Sequence, residues 1–126
     1  MSHLRRPAMT FAALVGATLL LLTGCASGPE VDPTGDTTEV TVTVNGMRFV
    51  PDVIEVPKGN DLVVTFENTG TEVHDLVFEN GAGGEHMAPG ESEVIDVGVI
   101  GSDLDGWCSV SNHREMGMEL TVQVTE

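Results

Sequence analysis

The sequence predicts an all-β protein, an antiparallel sandwich of two sheets with seven or eight short strands across residues 39–126. Three observations carry that expectation. Apolar and polar residues alternate with period two in several stretches, as half-buried strands require. Turn-forming residues punctuate those stretches at short, regular intervals. No segment after residue 25 keeps the 3.6-residue period of an amphipathic helix.

In order, "EVTVTV" (39–44) alternates cleanly, and "VIEV" (53–56) continues the pattern between Pro51 and Pro57. "DLVVTFEN" (61–68), "HDLVFEN" (74–80), "SEVIDVGV" (92–99) and "MELTVQV" (118–124) follow. Between them stand "NG" (45–46), "PKGN" (57–60), "NTG" (68–70), "NGAGG" (80–84) and "APG" (88–90), each rich in residues that favour turns. A chain of 126 residues suits one domain. Sheets of this size bury a single core and leave no room for a deep substrate cavity.

The N-terminus is a different kind of sequence. Arg5 and Arg6 precede a continuous apolar run, "FAALVGATLLLL" (11–22), too short to span a bilayer comfortably but suited to a secretory signal. The run ends in "LTGC" (22–25), which resembles the bacterial lipobox, whose Cys is lipidated and becomes the new N-terminus. Residues 1–24 are therefore expected to be a lipoprotein signal peptide, with an uncleaved anchor as the alternative. Both place the domain outside the cytoplasm, on the outer face of a bacterial cell membrane. Residues 25–38, from the lipidated Cys25 through a Pro, Gly, Ser, Thr and acid-rich stretch, are expected to form a flexible tether.

Cleavage before Cys25 leaves Arg48, Lys58 and Arg114 against 20 acidic residues, a net charge of −17 with His neutral. Such a field repels nucleic acid and anionic lipid and argues against both as partners. It serves solubility, and secondarily steering toward a basic partner. If Cys25 carries lipid, Cys108 has no disulfide partner, and a lone thiol in an oxidising compartment needs protection or a role.

The loop "WCSVSNHREMGM" (107–118) suggests that role. Four residues separate Cys108 from His113, and four more separate His113 from Met118. A thiolate, an imidazole and a thioether form a soft set that selects copper over Mg, Ca or Mn, and the thioether argues against zinc. Cys, two His and a weak axial Met make the ligand set of a blue copper centre. A second His is then required, from His3, His74 or His86. His3 lies in the signal segment, and His86 sits in a Gly-rich loop where an idle, exposed ring is the default. His74 follows a turn and opens a strand at one end of the sandwich.

These stretches carry a resemblance. "VNGMRFVPDVIEVPKGNDLVVTFENTGTEVHDLVF", "MAPGESEVIDV" and "WCSVSNHREMGM" together resemble the cupredoxins, the type 1 blue copper proteins, from about residue 40 to 126. The loop spacing is similar to that of auracyanin- and rusticyanin-like members. The resemblance implies a Greek-key sandwich and one type 1 copper held by His74, Cys108, His113 and Met118. Met116 stands where relatives commonly have a small residue and remains the alternative axial ligand. The resemblance also implies a hydrogen bond between Asp75 and Ser109, holding the two ligand loops in register.

It further implies that His113 reaches the surface within an apolar docking rim, here Met47, Met87, Pro89 and Met116, beside His86. A copper with three strong ligands and one weak one has no evident open position for substrate, and no nucleophile–base pair accompanies it. The expectation is a monomeric, lipid-anchored electron carrier, not an enzyme, serving redox partners such as a cytochrome, oxidase or reductase. The alternative is a copper-handling chaperone or buffer that uses the methionine rim.

Overall fold

The computed structural model describes residues 30–126; the signal segment, Cys25 and the first residues of the expected tether lie outside the described residues. Eight strands form: β1 (Thr37–Asn45), β2 (Arg48–Val50), β3 (Val53–Pro57), β4 (Asp61–Glu67), β5 (Val77–Phe78), β6 (Ser92–Val99), β7 (Leu104–Trp107) and β8 (Glu119–Thr125). They make two four-stranded sheets, ordered β2-β1-β4-β6 and β3-β8-β7-β5. No helix among the described residues is long and apolar enough to cross a membrane.

Alternation in the sequence becomes the core. Val42 and Val44 of β1, Ile54 and Val56 of β3, Leu62, Val64 and Phe66 of β4, and Leu120 and Val122 of β8 are buried, while their neighbours along each strand are more exposed. Each such side chain contributes about 1.5–3 kcal/mol by leaving water. Phe49 of β2 meets Phe66 edge-on, with ring centroids 5.9 Å apart.

The sheets are mixed, which corrects the antiparallel expectation. β1 runs parallel to β4, and β3 parallel to β8; the other pairings are antiparallel. Between β1 and β4 the chain visits the second sheet through β3, so it returns to its starting sheet in the original direction. Parallel and antiparallel strands share the period-two pattern, so alternation could not tell them apart.

Two strands carried no clear signal. β2 is three residues long, and β7 reads "LDGW", with Asp and Gly where strands prefer β-branched residues. Gly106 in β7 has a packing reason: a Cβ there would lie 3.0 Å from Leu120 Cδ1 and 3.2 Å from Phe78 Cε1. Conversely, the strand expected over 74–80 shrinks to Val77–Phe78, and His74 makes only an isolated bridge with Met87.

The tether also differs from expectation. Val31 lies over Gly101, Thr34 donates its amide to Gly59 O (2.9 Å) and its hydroxyl to Asn60 Oδ1 (2.7 Å), and β1 starts at Thr37. The stretch expected to be free is thus part of the body from Val31 onward.

Candidate metal centre

Two loops at one end of the sandwich build the site. The first leaves β4 and wraps around the buried side chain of Asn68. Its amide donates to Glu72 O (2.8 Å) and Met87 O (2.7 Å), and its Oδ1 accepts from Gly70 N (3.0 Å). Gly70 allows the tight wrap, since a Cβ there would come within 3.2 Å of both Asn68 Oδ1 and His74 Nε2. The backbone of His74 is then fixed by reciprocal bonds with Met87, N to O at 3.1 Å and O to N at 2.8 Å.

The second loop joins β7 to β8. Trp107 and Glu119 pair across that ladder, and Cys108 N donates to Met118 O (3.1 Å), adding a rung beyond the strands. Alternation turns Cys108 and Met118 into the core, where both are fully buried. Residues between them coil into successive turns, closed by His113 N to Val110 O (3.1 Å), Met116 N to Asn112 O (3.2 Å) and Met118 N to His113 O (3.1 Å). Ser111 (φ 48°) and Gly117 (φ 99°) take left-handed backbone to make this coil possible.

The result is a convergent donor set. Cys108 Sγ lies 3.6 Å from His113 Nδ1 and 4.0 Å from His74 Nδ1, and the three candidate ligand atoms all fall within 4.8 Å of one another. Metal–ligand bonds of about 2.0–2.3 Å around a shared centre set ligand–ligand edges of about 3.5–4 Å, so both sulfur–nitrogen distances suit one shared metal ion. Met118 lies near the trio, and the four donors together fit one type 1 copper site. Met116, two residues earlier, is 52% exposed.

Electrostatics suit a soft cation. Burial, then the facing His113 ring, lowers the pKa of His74, against smaller opposing effects of Glu72 and Asp75, so the imidazole is held neutral with a lone pair free. Burial raises the pKa of the Cys108 thiol, although backbone amides of Asp75 and Val110 favour the thiolate. Loading the site therefore releases a proton, and apparent metal affinity rises with pH below the thiol's titration. Between the loops, Asp75, itself fully buried, accepts from Ser109 N (2.6 Å) and from the Ser109 hydroxyl (2.5 Å). Its Oδ2 is also 3.5 Å from Nε2 of His86, an otherwise exposed side chain.

Of the donor residues, only His113 offers an edge to solvent: its side chain is 10% exposed, with Nε2 3.7 Å from the Glu72 carboxylate. His74, Cys108 and Met118 are sealed. The expected rim needs one correction. Met87, 8% exposed like His113 as a whole residue, packs with the hydrophobic core and adds little to an exposed rim. Met47 is half-buried against the same core, while Pro89 and Met116 are exposed.

Comparison with known proteins agrees with this geometry. The sequence profile described as "Cupredoxin-like domain" matches residues 12–100. The chain belongs to the cupredoxin-like family. The matched range contains His74 but stops before Cys108, so the second ligand loop of this cupredoxin-like chain rests on its own fold. Reduced auracyanin from the photosynthetic bacterium Roseiflexus castenholzii superposes with TM-score 0.62 at 18% identity, covering 73% of this chain and all of that one. Auracyanin B gives 0.60 at 15% identity, over 79% of this chain and 97% of its own. A copper-containing nitrite reductase from Thermus scotoductus gives 0.55 at 21%, matching 77% of this chain but 25% of the reductase. At these identities the likeness speaks for the fold. No curated protein sequence matches the chain.

Sequence reasoning missed Asn68, the scaffold of the His74 loop, and Glu72, the carboxylate beside His113. Asn68 had a signal, since an Asn opening a turn commonly bonds backbone two residues on. Glu72 had none, because only the three-dimensional closure of the loops brings it to His113.

Proposed function

We infer that this cupredoxin-like protein is a one-electron carrier that holds a single type 1 copper on His74, Cys108, His113 and Met118. The observation that carries this reading is the buried His74–Cys108–His113 triad, with donor atoms within 4.8 Å of one another. Bound copper supplies one-electron chemistry, cycling between Cu(I) and Cu(II). The chain's own residues do the rest. A rigid sandwich keeps the donors in one arrangement, the core excludes water from three of them, and the His113 edge provides the contact through which a partner exchanges electrons. The apolar run, the lipobox-like "LTGC" and Cys25 support a lipid anchor on the outer face of the cell membrane. The acidic surface favours a redox partner with a basic face. Burial of Met87 weakens the copper-handling alternative, which needs several accessible thioethers.

An absorption spectrum and a Cu(I) titration of the purified domain test this reading. The expected result is an intense band at about 600 nm from Cu(II)–thiolate charge transfer, with one tight equivalent of Cu(I). A colourless copper-loaded protein would overturn the site. A second Cu(I) equivalent lost on changing Met47 and Met116 to Leu would favour copper handling.

The axial position gives a narrower check. Met118→Leu should raise the reduction potential, because it removes a weak donor that favours Cu(II). Met116→Leu, on an exposed side chain, should leave the potential nearly unchanged in the same voltammetric measurement.

A further inference from the structure

Each of the three donors in the second loop has a sequence neighbour on the other side of the chain: Trp107 before Cys108, Arg114 after His113, and Glu119 after Met118. Trp107 and Glu119 face one another across the β7–β8 ladder, one rung from the Cys108–Met118 pair. Alternation that sends Cys108 and Met118 inward sends Trp107 and Glu119 to the outer face. Arg114 reaches back from the middle of the loop to both of them. Its guanidinium carbon lies 4.2 Å from the centroid of the Trp107 ring, and its Nε donates to Glu119 Oε1 at 2.8 Å.

We propose that Arg114 is a positioning residue that clamps the copper loop from outside, holding Cys108, His113 and Met118 in one geometry with or without metal. The proposal rests on the copper reading above and assigns a task to residues that reading leaves idle. A guanidinium can do both things at once, because its planar face stacks on an aromatic ring while its edge donates to a carboxylate. An ammonium cannot. The loop turns away from the sheet at Cys108 and rejoins it at Met118, so a side chain from between them, bound at both ends, must be released before the loop can open. Inside, Asp75 holds Ser109 of the same loop. The loop is thus gripped from both faces.

Global stability is a poor alternative explanation for the arrangement. Arg114 and Glu119 are each about half exposed, at 46% and 54%, and exposed ion pairs contribute little to folding. A local constraint on the loop is what such a contact can supply. A rigid loop suits a redox metal, because less has to rearrange when the charge on the copper changes.

Trp107 is the only tryptophan in the chain, so its fluorescence reports the stack directly, even in the metal-free protein. Arg114→Gln should make Trp107 more accessible to acrylamide quenching in the apo-protein. In the copper-loaded protein it should speed copper release to a chelator about 10-fold and shift the copper hyperfine splitting in electron paramagnetic resonance. The unfolding midpoint of the apo-protein should change little. Arg114→Lys keeps the charge but not the planar fork, and should resemble the Gln variant in quenching and release.

Wild-type quenching and release in Arg114→Gln would overturn the clamp. So would full rescue by Lys, which would show that charge alone matters, or a large fall in the apo midpoint, which would show a structural role. Failure of the copper reading would look different: a wild-type protein with no blue band, whatever the tryptophan reports.

Discussion

Cys108→Ser should abolish the intense visible band of the copper-loaded protein while leaving the apo fold in place. The band requires a thiolate on Cu(II), and Cys108 is the only cysteine among the described residues, buried within 3.6 Å of His113 Nδ1 and 4.0 Å of His74 Nδ1. A serine oxygen in its place is a harder, more basic donor whose proton is not surrendered at neutral pH, so copper is expected to bind weakly and without strong colour. Folding should hardly notice. The core consists of alternating Val, Ile, Leu and Phe from both sheets, and a buried hydroxyl at position 108 finds donors in the amides of Asp75 and Val110 that now face the sulfur. We expect a change of about 1 kcal/mol in apo stability by urea unfolding, within the usual range for one buried polar replacement. A mutant that stayed blue would remove Cys108 from the site.

Asp75→Ala is expected to do the opposite kind of damage, loosening both loops at once. The Asp75 carboxylate is fully buried and receives the amide and the hydroxyl of Ser109, the residue after Cys108, while Asp75 itself follows His74. Alanine leaves these donors without their partner in the protein interior, a cost of about 2–4 kcal/mol. Copper affinity should fall about 10- to 100-fold as the His74 and Cys108 loops lose their common register. Asp75→Asn separates hydrogen bonding from charge. Its amide oxygen still accepts from Ser109 N and its NH2 can donate to the Ser109 oxygen, so most of the stability should return. The reduction potential should nevertheless rise, because a negative charge that favours Cu(II) has gone. Equal losses of apo stability in the Ala and Asn variants would show that the carboxylate's charge, not its hydrogen bonds, joins the loops.

The sequence alone contained the local half of this protein. Period-two alternation in "EVTVTV", "DLVVTFEN" and "SEVIDVGV" marked strands and their buried faces, because a side chain's face in a strand depends only on its neighbours along the chain. The 108–118 spacing likewise marked a loop able to gather a thiolate, an imidazole and a thioether, since all three belong to one short segment.

Where partners come from distant segments, the chain was silent. Nothing in "LDGW" distinguishes β7 from a loop until β5 and β8 enclose it, and parallel and antiparallel ladders share one pattern. Met87 was expected in the rim because the resemblance draws the docking patch from the turn at "MAPGE". It packs with the core instead, at a position where Asn68, 19 residues earlier, binds its carbonyl and His74 pairs with its backbone. Trp107, Arg114 and Glu119 were visible as letters but not as a clamp. Their meeting depends on a ladder register and a folded-back loop, and hydrogen bonds and ring stacking act over a few ångströms of space regardless of separation along the sequence.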